Sequence, residues 1–205
     1  NKIKNSTFID IGGGFGSFAE EISKYKKNVV VIEPSPFMAQ ECRKKKINVI
    51  QKFLELVKKE DLPKDKKCFT CFELFEHLYD PSKFVKNLRK LMNNGDLFIF
   101  TTLSSLGADI LALWNNSRSI SPPHHINFFN PYSISTFLKK HNFKIIDIST
   151  PGKIDVDILE NDKHLIKDKF WKNFFKFATK RHKKEMQEFI SNHNLSSHMM
   201  VVCKK

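Results

Sequence analysis

Three groups of residues in this sequence have types and spacings that could do chemistry. The first is Ile9-Asp10-Ile11-Gly12-Gly13-Gly14-Phe15-Gly16, which places four of the chain's seven glycines within five positions. If a strand turns straight into a helix here, the first helical N–H groups point outward beside the positive end of the helix dipole. Glycine removes the Cβ, permits positive φ and lets a carboxylate or phosphate approach the backbone closely. The second is Glu33, 17 positions after Gly16 at the end of the next apolar run. A carboxylate there can accept from both hydroxyls of a ribose, so the two marks together point to a nucleoside derivative. Gly12, Gly14 and Ser17 loosely satisfy GxGxxG with a small third residue, a pattern that fits a dinucleotide and S-adenosylmethionine alike. The third group holds titratable side chains: Glu73, Glu76 and His77 in "CFELFEHLYDP", and His124 and His125 in "SPPHH".

These residues need elements to position them. Thr7 to Ile11 is a short apolar run ending in the glycines, and Phe18, Ala19, Ile22 and Tyr25 follow at helical spacing. Asn28 to Ile32 is β-branched without alternation, as a strand buried on both faces should be, and it stops at Glu33-Pro34-Ser35. A helix is expected over Pro36 to Lys45, a third strand at "INVIQ" and a fourth over Lys67 to Phe72. Asp80-Pro81-Ser82 reads as a helix cap before the apolar stripe Phe84, Val85, Leu88, Leu91 and Met92. Asn94-Gly95 then turns the chain into "DLFIFTTL", a fifth strand. An irregular stretch is expected to Asn130, followed by a helix opened by Asn130-Pro131 and a strand "FKIIDIS". Leu165 to Ile190 is helical by pattern, and "HMMVVCKK" is the last strand. Alternation of this kind implies a parallel sheet with helices on both faces and ligand sites at the carboxyl ends of the strands.

At 205 residues, 40% hydrophobic and 28% charged, with 20 phenylalanines, the composition describes one globular domain spanning residues 1–205. No stretch is apolar enough to cross a bilayer and no signal peptide is legible, so the expected compartment is the cytoplasm. The net charge of +13 suits nucleic acid, acidic headgroups or phosphorylated small molecules. The scattered lysines (Lys24, Lys26, Lys27, Lys44 to Lys46, Lys64, Lys66, Lys67) favour plain solubility. The four cysteines, Cys42, Cys68, Cys71 and Cys203, include one CxxC pair. An offset of three within a strand puts the two side chains on opposite faces, so they read as buried free thiols rather than a zinc or redox site.

In order and spacing, "IDIGGGFG", "VIEPS" and "CFELFEHLYDP" closely resemble the class I S-adenosylmethionine-dependent methyltransferases, particularly the branch containing ubiquinone-biosynthesis O-methyltransferases. "PPHHINFFNPYSISTFLKKHNFKIIDIS" and "LSSHMMVV" are similar to a bacterial branch associated with sugar or polysaccharide modification. The resemblance implies an α/β Rossmann-like fold, a seven-stranded mostly parallel sheet with an antiparallel last strand. It implies that the methionine end of the cofactor lies against Gly12, Gly13, Gly14 and Gly16, with Asp10 fixing the turn and reaching the amino group. Glu33 would hold the ribose, Pro34 and Phe53 the adenine, and Phe72 would line the sulfonium side, with Glu73 also among the cofactor-binding residues; for Phe53 a packing role carries at least equal weight. Family members also carry helices ahead of the first strand that help to lid the site. Only five residues precede Ser6, so such a lid is either missing from this sequence or supplied from elsewhere.

Methyl transfer to a hydroxyl needs alignment and a base, and His124 and His125 are the candidates; an ordinary loop role weighs equally for each taken singly. Glu73, Glu76 and His77 are similar to a metal-binding signature of the ubiquinone branch and could hold a divalent ion, although a structural role as turn caps is favoured. Ser-Pro-Pro followed by an aromatic marks amino-methyltransferases acting on bases, but here His124 replaces the aromatic and the motif follows strand five. In "KDKFWKNFFKFATKRHKK" aromatics interleave with bases, which could suit nucleic acid or a membrane surface. Phe170, Phe174, Phe177 and Ala178 form one helical stripe, which favours core packing with a solvated basic face. The expected function is methyl transfer from S-adenosylmethionine to a small-molecule acceptor, such as a nucleotide-linked or phosphorylated one, at an oxygen of a sugar or related metabolite. Nucleic acid and membrane insertion are disfavoured as partners, and the oligomeric state is not legible. The alternatives are a nicotinamide-dependent oxidoreductase and a non-catalytic or RNA-binding protein on the same fold.

Overall fold

A computed structural model describes residues 6–26 and 28–205; Lys27, among the lysines read as solvating, lies outside them. The chain runs β1 (Thr7–Ile11), α1 (Ser17–Ser23), β2 (Val29–Ile32), α2 (Pro36–Lys44), β3 (Asn48–Ile50), β4 (Lys67–Cys71), α3 (Pro81–Leu91) and β5 (Leu97–Leu103). It continues through α4 (Ala108–Leu113), α5 (Pro131–Lys140), β6 (Lys144–Ser149), α6 (Asp155–Asn161), α7 (Lys169–Phe177), α8 (Lys180–Asn192) and β7 (His198–Lys204). The seven strands form one sheet in the order β3-β2-β1-β4-β5-β7-β6. β1 to β5 pair in parallel, and β7 inserts antiparallel between β5 and β6. The order reverses between β1 and β4, which opens a crevice at the carboxyl ends of those two strands.

The unbroken apolar runs of β1, β2 and β4 are buried along their whole length because helices cover both faces. The strand period of two divides their side chains between two cores. Ile9, Ile11, Phe69, Phe98 and Phe100 pack with Phe84 and Leu88 of α3 and with Ile134 and Leu138 of α5. Phe8, Val29 and Val31 pack with Ala19 of α1 and Cys42 of α2. Cys71 belongs to the first core and Cys68 to the second. All four cysteines are free and buried, as the offset of three requires. Helix starts follow the sequence signals: Ser35, Asp80 and Asn130 cap α2, α3 and α5 with their side chains, each just ahead of a proline in the first turn.

Several expectations are corrected. The stretch before Asn130 contains α4, and α6 precedes the segment read as one helix. That segment is two helices: α7 ends at Phe177, and Thr179 caps a new helix by accepting from the His182 N–H. Tyr25 is 74% exposed beyond the end of α1. The stripe Phe170, Phe174, Phe177 is not core, because Phe170 is 58% and Phe177 71% exposed and α7 has no buried residue. Trp171 and Phe175 on the adjacent face pack instead on a small cluster of Leu113, Leu159 and Ile166. Lys67 is buried rather than solvating, its Nζ donating to the carbonyls of Pro63 and Asp65 beside Asp96.

Candidate functional site

The turn from β1 to α1 is shaped by what each glycine must avoid. A Cβ on Gly13 would stand 2.8 Å from both Asp10 Oδ2 and Val31 Cγ1, so that position is closed to any side chain. Gly14 is different: its φ is +54° and the space in front of it is open, so the left-handed backbone leaves a bare surface facing the crevice. Gly16, also left-handed, precedes the first residue of α1, and no side chain caps that helix.

Two side chains hold this turn. Glu33, at the end of β2, is buried; its Oε2 accepts from the Gly14 N–H at 3.0 Å and its Oε1 from the Ser35 N–H at 2.9 Å. A carboxylate can accept about four hydrogen bonds, so lone pairs remain for a ligand's hydroxyls. Cys42 Sγ donates to the Gly14 carbonyl at 3.2 Å. Asp10, buried under the turn, accepts from the Thr70 hydroxyl at 2.9 Å. Burial lifts its carboxyl to about 6, the Thr70 hydroxyl pulls it back in part, and the charge of Glu33 adds to the rise. A buried acid raised in this way gains most from a nearby cation.

Around this floor, Phe72 is half-buried and packs edge-on against Phe18 at 4.6 Å between ring centres. Pro34 is half-buried after Glu33. Phe53 is 62% exposed, so the packing role weighed for it does not hold. Phe15 and Phe37 meet edge to face at 5.9 Å while 47% and 63% exposed. Sequence reasoning missed this pair; the available signal was an aromatic inside the glycine run that belongs to neither a strand nor a helix pattern. Glu73, just beyond β4, has φ +49°, a conformation costly for a residue with a side chain. Thr101 holds it there, accepting from its N–H at 3.2 Å and donating to its Oε1 at 2.6 Å, and His198 Nδ1 lies 3.4 Å from the same oxygen.

The third group regroups in space. Glu76 and His77 lie on a 3-10 turn, and the loop after β5 folds over it: the N–H groups of Ile126 and Asn127 both donate to the Glu76 carbonyl. Glu76, His77 and His125 bring potential ligand atoms within 4.8 Å of one another. Glu73 is not in that group, which corrects the set implied by the resemblance. His124 is exposed, and it is its carbonyl that takes part, 2.8 Å from His77 Nδ1. His125 Nδ1 stands 2.8 Å from the Ser119 carbonyl. A carbonyl only accepts, so each Nδ1 is the donor and each Nε2 is left as the nitrogen that can offer a lone pair, the arrangement of metal-ligating histidines. Glu76 is buried, and no hydrogen bond of ordinary geometry reaches its Oε2, although the Thr102 hydroxyl lies beside it. Burial raises the Glu76 carboxyl against the pull of its own backbone N–H, the charge of Glu73 adds to the rise, and His77 and the Thr102 hydroxyl offset part of it. A carboxylate and two imidazoles whose ligand atoms lie this close suit a divalent cation.

The sheet order and a glycine turn braced by the acid at the end of β2 define a class I S-adenosylmethionine-dependent methyltransferase fold. The chain belongs to the methyltransferase-domain family, whose model matches residues 1–148. It is similar to the ubiquinone biosynthesis O-methyltransferase of Colwellia psychrerythraea, with 26% identity over 73% of this chain and 65% of that one. The mitochondrial ubiquinone biosynthesis O-methyltransferase of Schizosaccharomyces pombe is 30% identical over 72% of this chain and 58% of its own length. The chain thus spans less than two thirds of either relative. In fold it is similar to an S-adenosylmethionine-dependent methyltransferase of Archaeoglobus fulgidus, with TM-score 0.64 and 16% identity over 100% of this chain and 88% of that one. Family membership decides the choice left open by the glycine pattern: the cofactor is S-adenosylmethionine, not a dinucleotide. Among the described residues no helix is long and apolar enough to cross a membrane.

Proposed function

We propose that this chain, as a single catalytic domain, transfers a methyl group from S-adenosylmethionine to an oxygen of a small-molecule acceptor, a sugar or related metabolite. The observation that carries the reading is the open face of Gly14, held by Glu33 and underlain by Asp10. In this reading the Gly12 to Gly16 turn takes the methionine end, the ionised Asp10 faces its ammonium, and Glu33 accepts from the ribose hydroxyls. Pro34 and Phe53 flank the adenine, with Phe15 and Phe37 at the mouth. Phe72 and Glu73 border the sulfonium.

The transfer is an in-line displacement at an already activated carbon, so the protein must align the partners and accept a proton. His125 is better placed for this than His124, because its Nδ1–H is engaged by Ser119 and its Nε2 is free to take the acceptor's proton. A second arrangement is supported by the proximity of the three side chains: Glu76, His77 and His125 would hold a divalent cation, which when bound lowers the pKa of the acceptor hydroxyl. Exhaustive chelation separates the two. Loss of activity restored by a divalent metal supports the cation, and unchanged activity assigns the proton to His125. The acceptor class rests on the resemblance of "PPHHINFF" and "LSSHMMVV" to sugar-modifying methyltransferases. It is tested by transfer of label from methyl-labelled cofactor into a bacterial metabolite extract: label in sugars or their nucleotide conjugates supports it, and label only in quinone precursors overturns it.

A further inference from the structure

The family match ends at residue 148, and the helices between β6 and β7 lie beyond it. In that insert α7 divides its aromatic residues between two faces. Trp171 and Phe175, spaced i and i+4, pack inward on Leu113, Leu159 and Ile166. Phe170, Phe174 and Phe177, at i, i+4 and i+7, form a second row, of which Phe170 and Phe177 are largely exposed. This row continues into an apolar groove of about 570 Å³ bordered by Met186 and Phe189 of α8 and by Leu195. Phe189 is itself 52% exposed. Apolar surface of this extent on a folded chain marks an interaction site. Bases dominate around it: residues 163 to 185 hold nine Lys and Arg against two acids, Asp168 and Glu185, the latter bordering the groove and paired with Arg181. On α7 itself Lys169, Lys172 and Lys176 follow the remaining helical face, beside the exposed phenylalanines.

We propose that α7 and the α7–α8 groove seat on the surface of an anionic lipid bilayer, the outer phenylalanines entering the headgroup boundary and the flanking lysines meeting the phosphates. An apolar row bordered by bases on a short helix lying flat on the protein is the arrangement that interfacial binding requires. The other occupants suit the surface less well. A second copy would oppose two strongly basic faces. For a nucleic acid the rings are already engaged: Phe170 and Phe174 stack on each other at 6.3 Å, and Lys176 lies 5.3 Å over Phe177. The groove sits on the carboxyl rim of the sheet, because the N–H of Ala108, at the start of α4, donates to the Leu195 carbonyl.

Vesicle flotation tests this with phosphatidylcholine alone and with phosphatidylcholine mixed with phosphatidylglycerol. The protein is expected to float with the mixed vesicles only, and Phe170→Ser/Phe177→Ser to bind at least about tenfold more weakly with an unchanged melting temperature. Lys169→Glu/Lys172→Glu/Lys176→Glu is expected to lose binding as well. Should the double variant melt early, Phe177→Ser alone carries the test, its side chain being largely in solvent. Absence of flotation with mixed vesicles overturns the proposal, as does flotation unaffected by the phenylalanine substitutions. It is also overturned if the phenylalanine variants abolish RNA binding or a lipid-free dimer while vesicle binding is unchanged.

Discussion

At the scale of single residues the account depends on what faces open space and what is buried beneath it. Gly14→Ala adds a methyl group at positive φ into that space, so it should cost only about 1–2 kcal/mol of stability while weakening the cofactor about tenfold or more. Thermal melts with and without S-adenosylhomocysteine separate the two effects. Gly13→Ala should instead fail in folding, because its Cβ meets Asp10 and Val31. Asp10 gives a pH signature. Its carboxyl titrates near 6 in the free protein, and a cationic ligand favours the ionised form, so binding below that pH must release a proton. Cofactor affinity should therefore rise with pH up to about 6 and level off above it. Calorimetry in buffers of different ionisation enthalpy reads the proton directly, and Asp10→Asn should flatten the profile. Asp10, Glu33 and the glycines were legible in sequence because the constraint on each is local. The Glu76, His77, His125 group was not, since His125 arrives from a distant loop that only the folded chain brings over the turn.

Among the elements, those with long uniform patterns were legible and the short ones were not. β1, β2, β4 and β5 announce themselves as buried apolar runs, and α3 as one clear stripe with an Asp80 cap. The six residues of α4 are too few to show a helical period. On α7 the period of the aromatic residues was correctly read, but five aromatics in nine residues offer two adjacent stripes, and periodicity does not say which one is buried. The junction of α4 with β7 carries its own prediction. Asp109 is buried there; burial lifts its carboxyl to about 6 against the pull of Ser197, and the charge of Asp155 adds to the rise. A folded-state pKa above the unfolded value contributes stability that is full below about 4 and lost as pH rises through about 6. Asp109→Asn, which has no charge to desolvate, should be more stable at pH 7.5 by on the order of 2 kcal/mol, with little difference at pH 4. Denaturant midpoints at the two pH values check it.

The whole molecule is a sheet whose strand order sets one crevice and whose β6 to β7 insert adds a second surface on the same rim. Its strand sequence was readable end to end, including the antiparallel placement of "HMMVVCKK" through the family resemblance. The insert was legible only as one helix over Leu165 to Ile190, because neither glycine nor proline marks the break between α7 and α8. The central claim is that the crevice grips the adenosine and methionine ends of the cofactor through the glycine turn and Glu33. Calorimetric titration of S-adenosylhomocysteine into the protein and into Glu33→Ala tests it most directly. Saturable one-to-one binding by the protein, weakened about tenfold or more by the substitution, is the predicted result. Equal affinity in the two proteins, or no binding to the unsubstituted chain, would contradict it.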